Sequence, residues 1–171
     1  MKTLYLLRHA KSDWGSPGLD DHDRPLAARG ERAAAVMGVH FAQQQYQPSL
    51  VLCSSARRTR QTLEALLPHL PGQPELAVEE RIYLASSGQL LARLQEVDDG
   101  QSGVLLIGHN PGIAELAQTL AGSGERASLR RLAARFPTAA SAVCEFDLEH
   151  WRDLAPGSGR LLAYTTPKDL V

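Results

Sequence analysis

Two apolar runs in this chain each end on a histidine. Leu4-Tyr5-Leu6-Leu7 is followed by Arg8-His9, and Val104-Leu105-Leu106-Ile107-Gly108 by His109. A neutral imidazole nitrogen is a competent nucleophile and proton carrier near pH 7. A guanidinium stays charged and grips phosphate oxygens bidentately. An arginine beside the first histidine therefore points to a dianionic phosphoryl group. The segment Ser54-Ser55-Ala56-Arg57-Arg58-Thr59-Arg60-Gln61-Thr62 adds three more arginines. It follows an apolar run and opens a helical pattern, and a helix N-terminus itself favours anions. Three positions so closely spaced cannot all face one site, so Arg57 or Arg60 is expected on a solvated face. Each histidine alone reads as an ordinary loop residue; the paired layout favours a site.

The two histidines can meet only if their strands share a sheet. Leu4 to Leu7, Leu50 to Cys53 and Val104 to Ile107 are short continuous apolar runs, as buried parallel strands require. In such sheets ligands bind in the crevice outside the carboxyl ends of the strands. A polar loop from Lys11 to Arg24 follows the first run. From Pro25 the spacing is helical, with Ala33, Val36, Met37, His40 and Phe41 on one face. Ser54 or Ser55 is the expected cap of the next helix, whose inward stripe is Thr59, Thr62, Leu63, Leu66 and Leu70. Pro68, Pro71 and Pro74 break the chain. A short strand at Leu76 to Val78 and a short helix at Leu90 to Val97 come next. Asn110 is the expected cap of a further helix, with Pro111 at its first position. Ala142, Cys144, Phe146 and Leu148 alternate with Glu145 and Asp147, the period of a half-exposed strand. Gly157-Ser158-Gly159 is a turn, after which Leu161 to Thr165 returns antiparallel. Alternating strands and helices predict an α/β sandwich with a mostly parallel sheet.

The 171 residues suit a single domain, 1–171, with a proper core, at 43% hydrophobic and 22% charged. A net charge of -1 argues against broad nucleic-acid binding. No run approaches the roughly 20 apolar residues of a membrane span, and no signal peptide is read at the start. Cys53 and Cys144 sit in apolar runs and read as buried free thiols, in keeping with a cytoplasmic location. Asp20-Asp21-His22-Asp23 lacks the ordered spacing of a hard-metal loop; it reads as a solvated loop at a site mouth, with Trp14 packed nearby. Gly122-Ser123-Gly124 follows a helix, so it is no dinucleotide loop. His22, His40, His69 and His150 read as surface or core residues.

Taken together, these motifs resemble the histidine phosphatase superfamily. Leu7-Arg8-His9 is similar to its R-H-G signature, Ser54, Arg58, Gln61 and Thr62 to its second arginine motif, and Gly108-His109-Asn110 to its second histidine motif. Asp23-Arg24-Pro25-Leu26 followed by Arg29-Gly30, with Phe136-Pro137-Thr138 and Thr166-Pro167, resembles the SixA-type phosphohistidine phosphatase branch. The resemblance implies a phosphoglycerate-mutase-like three-layer sandwich, a central sheet flanked by helices. It implies His9 as the nucleophile, with Arg8, Arg58 and His109 around the phosphoryl oxygens and Arg24 binding substrate. It further implies a phosphatase with no metal and no cofactor, acting on a phosphorylated protein or a small phosphorylated substrate, not on nucleic acid and not at a membrane. A small-molecule phosphomonoesterase, a phosphoglycerate mutase and a phosphate-binding module are the other readings. Two departures stand out: Ala10 replaces the usual glycine, and Ala27 a common capping threonine, a cap worth about 1 kcal/mol. Glu79 and Glu80 are the positional candidates for a general acid, with a solvated loop as the alternative. The short segment between Pro71 and Ser87 leaves little material for a lid, which favours an open site and a bulky substrate.

Overall fold

A computed structural model describes residues 1–171. Seven strands form one sheet: β1 (Lys2–Arg8), β2 (Leu50–Ser54), β3 (Glu75–Glu79), β4 (Gly103–Gly108), β5 (Ala121–Gly124), β6 (Ser141–Phe146) and β7 (Gly159–Thr165). Their order is β3-β2-β4-β1-β6-β7-β5, and β6 alone runs against the others. The helices are α1 (Ala28–Gln43), α2 (Arg57–Leu66), α3 (Ser87–Gln95), α4 (Gly112–Leu120) and α5 (Arg126–Ala134). The architecture is the expected α/β sandwich.

Alternation along the central strands divides the apolar side chains between two layers. Leu4 and Leu6 of β1, Leu52 of β2 and Leu106 of β4 face one cluster, which includes Leu90 and Leu94 of α3 and Leu116 of α4. Tyr5, Leu7, Cys53, Leu105 and Ile107 face the other, with Met37 and Phe41 of α1 and Leu63 and Leu66 of α2. Both faces are covered, which is why these strands read as unbroken apolar runs.

Several local expectations need correction. The buried face of α1 is Gly30, Ala34, Met37, Gly38 and Phe41, while Ala33, Val36 and His40 are only half-buried. The two glycines decide this rotation. A Cβ on Gly30 would lie 2.0 Å from the Lys11 carbonyl oxygen, and one on Gly38 2.5 Å from the His69 ring. Neither Ser54 nor Ser55 caps α2; Ala56 is the cap residue, and Thr59 Oγ1 donates to the Ser54 and Ala56 carbonyls instead. Asn110 does not cap α4: Pro111 occupies the cap position and Asn110 Nδ2 donates to the Phe136 carbonyl at 2.8 Å. The helix expected at Leu90 to Val97 starts earlier, behind a capping box in which Ser86 Oγ accepts from Gln89 N. β6 is not half-exposed: Ala142, Cys144 and Phe146 pack into one layer and Val143 into the other, only Glu145 is half-buried, and the strand ends before Leu148. Gly122-Ser123-Gly124 belongs to the edge strand β5.

Candidate active site

The register of the central strands creates the site. Arg8 pairs with Gly108 across β1 and β4, so the next residues, His9 and His109, leave the sheet side by side. Their ring centroids are 5.3 Å apart. β2 lies on the other side of β4 and delivers Ser54, then Arg58 on the first turn of α2.

Each imidazole has a defined tautomer. His9 Nδ1 lies 2.7 Å from the Ala10 carbonyl oxygen, which can only accept, so Nδ1 carries the proton and Nε2 keeps its lone pair. Arg58 Nε approaches that Nε2 at 3.4 Å. Arg58 Nη2 donates to His109 Nδ1 at 3.2 Å, so the His109 proton is on Nε2, 2.7 Å from Ser54 Oγ. Both rings are buried, at 6% and 3% exposure. Burial pushes each pKa down to about 3; for His9 the bond to Ala10 opposes it and the charges of Arg58, Arg8 and Arg24 add to it, and for His109 repulsion from a protonated His9 and from Arg58 adds while Asp21 opposes. Both imidazoles are neutral at physiological pH.

Arg8, Arg24 and Arg58 line the same cleft of about 170 Å³ with the two histidines and Ser12. Arg58 is 3% exposed and makes its remaining bonds to Asp21, from Nη1 to the carbonyl at 2.8 Å and from Nη2 to Oδ2 at 3.1 Å. Arg24 donates from Nε and Nη2 to Asp21 Oδ1 and from Nη1 to Ser12 Oγ, and its guanidinium stacks 3.5 Å from the Trp14 ring centroid. Arg8 Nη1 donates to the Phe136 carbonyl; its Nε is buried without a partner, as is Asn110 Oδ1.

The Asp20–Asp23 segment is more than a solvated loop. Asp21 bridges Arg24 and Arg58 and accepts from the Tyr83 hydroxyl. Burial opposes its ionisation, but the bonds from Tyr83 and Arg24 and the charge of Arg58 outweigh that and hold it well below the usual carboxylate range. His22, expected to be a plain surface or core residue, bonds Ser55 Oγ at 2.8 Å and meets the edge of Tyr83. Sequence reasoning missed Asp21 and Tyr83 as site partners, and it placed Ser54 and Thr62 in the second arginine motif without giving them a role. Thr62 Oγ1 accepts from Ala10 N and donates to the Arg58 carbonyl, tying the loop after β1 to α2. Ala10 is fully buried there without a positive φ, so the replacement of glycine costs no backbone strain. Ala27 is the cap residue of α1 and makes no side-chain cap bond, as expected. Both Arg57 and Arg60 turn outward and reach only the backbone oxygens of Asp23 and Ser55. Glu79 and Glu80 lie outside the cleft, and Glu79 is held ionised mainly by its bonds to Arg93 and then Arg81. No group of three or more His, Cys, Asp or Glu side chains is arranged to hold a metal ion.

A cleft lined by three guanidiniums and two neutral imidazoles, with Asp21 holding Arg24 and Arg58 from outside it, can bind a dianion and offer it a nitrogen lone pair. The profile of the histidine phosphatase superfamily (branch 1) matches residues 4–88, the stretch that supplies Arg8, His9, Arg24 and Arg58. An uncharacterized protein of Mycobacterium tuberculosis is 37% identical over 164 residues, 95% of this chain and 100% of that one. The chain belongs to the histidine phosphatase superfamily. Within it the chain is SixA-like. A protein provisionally named the phosphohistidine phosphatase SixA, from Agrobacterium tumefaciens, superposes with a TM-score of 0.78 at 32% identity, covering 97% of this chain and 98% of the other. A similarly named protein from Nakamurella multipartitia gives 0.80 at 30% identity, covering 97% and 96%. The phosphoglycerate-mutase-like sandwich is therefore the fold of a phosphatase family, and no helix in this member is long and apolar enough to cross a membrane.

Proposed function

We propose that this phosphatase removes the phosphoryl group from a phosphohistidine on a protein, through a covalent phosphohistidine on its own His9. The observation that carries the reading is the unprotonated Nε2 of neutral His9, which accepts only a long 3.4 Å bond from Arg58 Nε in a cleft of three guanidiniums. Nε2 attacks phosphorus in line while the P–N bond to the substrate imidazole breaks, and water supplies a proton to the departing nitrogen. Arg8, Arg58 and Arg24 donate to the equatorial oxygens, and His109 lies beside them, able to donate once its proton is released from Ser54. Water then attacks phosphorus and the P–Nε2 bond breaks; one proton of that water neutralises the hydroxide left by the first step, hydrogen phosphate leaves, and the lone pair is restored. Such a transfer needs mainly positioning and stabilisation of spread negative charge. Three guanidiniums supply that charge, so no metal ion is required. An imidazole leaves more readily than an alkoxide, so the lack of a carboxylic acid in the cleft favours a phosphoramidate over an alkyl ester. The exposed Trp14 and Leu84, at 72% and 55%, border the cleft and suit a protein surface more than an enclosed small ligand.

The test is a panel of a phosphohistidine protein, an aryl phosphate, sugar phosphates and phosphoglycerate, each with and without a strong chelator. The phosphohistidine protein is expected to give the highest kcat/KM, unchanged by chelation. A rapidly quenched phosphoenzyme should be acid-labile and alkali-stable and map to His9 under alkaline conditions. It should vanish in His9→Ala and form or decay slowly in His109→Ala. A sugar phosphate or phosphoglycerate as the best substrate would favour the small-molecule esterase or the mutase. No turnover of any substrate would favour a binding module, and label on His109 would reverse the two histidines.

A further inference from the structure

A second cavity, of about 670 Å³, opens beside the catalytic cleft and shares two of its walls, Lys11 and Thr138. It holds none of the imidazoles, so it is no second catalytic centre. Its lining carries five cations, Lys11, Arg29, Arg131, Arg135 and Lys168, against one carboxylate, Asp169. That carboxylate is already committed: it pairs with Arg131 at 2.7 Å and accepts from Thr166 N in the capping box of the C-terminal turn. The other four cations make no ion pair within 4.0 Å. An excess of four positive charges thus sits in one groove of a chain whose net charge is -1. Clustered like charges repel, and a groove that concentrates them attracts an anionic partner.

The walls are ordered elements. Pro137, Thr138, Thr166 and Pro167, from segments of the SixA-type resemblance, line this groove, Thr138 on the wall shared with the cleft. Arg29 comes from the first turn of α1, and Arg135 from the end of α5. The cations at the lip, Arg29, Arg135 and Lys168, are exposed long side chains, suited to a macromolecular surface rather than to enclosing a small ion.

We propose that this groove docks an acidic flank of the phosphorylated protein, steering its phosphohistidine into the adjoining cleft. The proposal rests on the protein-phosphohistidine reading given above. Complementary charge at a solvated rim acts mainly on encounter and on choice of partner.

Peptides of equal length, each with one phosphohistidine and either acidic or neutral flanks, test it. At low salt the native enzyme should show about a tenfold higher kcat/KM on the acidic peptide, since each exposed pair is worth a factor of a few. That preference should shrink toward unity near 0.5 M salt, where screening is short-ranged. In Arg135→Glu combined with Lys168→Glu the preference should disappear or reverse, while turnover of an aryl phosphate stays at the native level. Arg135→Gln with Lys168→Gln should fall between. Should the glutamate pair lose aryl phosphate turnover, the native salt titration decides, and a preference insensitive to salt overturns the docking. Equal cleavage of both peptides, or a preference retained in the glutamate pair, overturns the docking alone. If neither phosphohistidine peptide is cleaved while the aryl phosphate is, the protein-phosphohistidine reading falls and the docking falls with it.

Discussion

Four polar groups converge on the guanidinium of Arg58, whereas those of Arg57 and Arg60 reach only backbone carbonyls in solvent. If Arg58 clamps the phosphoryl oxygens, Arg58→Ala should lower kcat on an aryl phosphate by about 10²–10³-fold, the scale of losing an oxyanion donor. Arg58→Lys should recover little, because a point charge cannot replace the fork. Arg57→Ala and Arg60→Ala should stay within about twofold. Equal losses at the three positions would mean that the cleft is not where phosphate binds. His9, His109, Arg8 and Arg58 were legible in the sequence because strand ends and a helix start locate them without knowledge of packing. Asp21 was not. A carboxylate in an Asp- and His-rich loop looks solvated until a guanidinium 37 positions away folds onto it.

At the level of elements, the loop after β1 is held by a close approach of two backbones. The Lys11 carbonyl accepts from Ala27 N and lies where a side chain on Gly30 would go. Gly30→Ala must push that loop aside, at about 1–3 kcal/mol of stability. The same loop carries Ser12, whose hydroxyl receives Arg24, so kcat should fall at least about tenfold. Gly88→Ala on α3 meets nothing closer than Ser86 Oγ at 4.0 Å and should be neutral or stabilising by up to about 1 kcal/mol. Denaturant midpoints and turnover of the two variants check this; matched behaviour would remove the contact as an explanation. The central strands were readable because burial on both faces leaves continuous apolar runs. α5 was not, since it buries only Leu132, and β5 was not, since Ala-Gly-Ser-Gly pairs with β7 through backbone alone. The serines were misread as caps because their hydroxyls bond His109 and His22 instead, and Asn110 because its amide nitrogen is held on the Phe136 carbonyl while its Oδ1 has no partner.

For the whole molecule, the neutral histidines make stability depend on pH. Free in the unfolded chain, His9 and His109 titrate near 6.5; in the folded protein they hold out to about 3. Between those values the unfolded state binds more protons, so stability is fully present above 6.5 and is lost as pH falls toward 3. His40, whose pKa burial also lowers, adds with the same sign. The loss should be on the order of a few kcal/mol in total. Urea midpoints between pH 7.5 and 4.5 should fall steadily, and His109→Asn should flatten the slope; an unchanged slope would mean that this ring is not kept neutral. The sheet also separates the two cysteines. Cys53 on β2 faces the layer of α1 and α2, and Cys144 on β6 faces the opposite layer. Both are free and inaccessible, and burial pushes both thiols up to about 12. A thiol reagent must therefore wait for a layer to lift, and the two sulfurs give each half of the core its own clock for spontaneous opening.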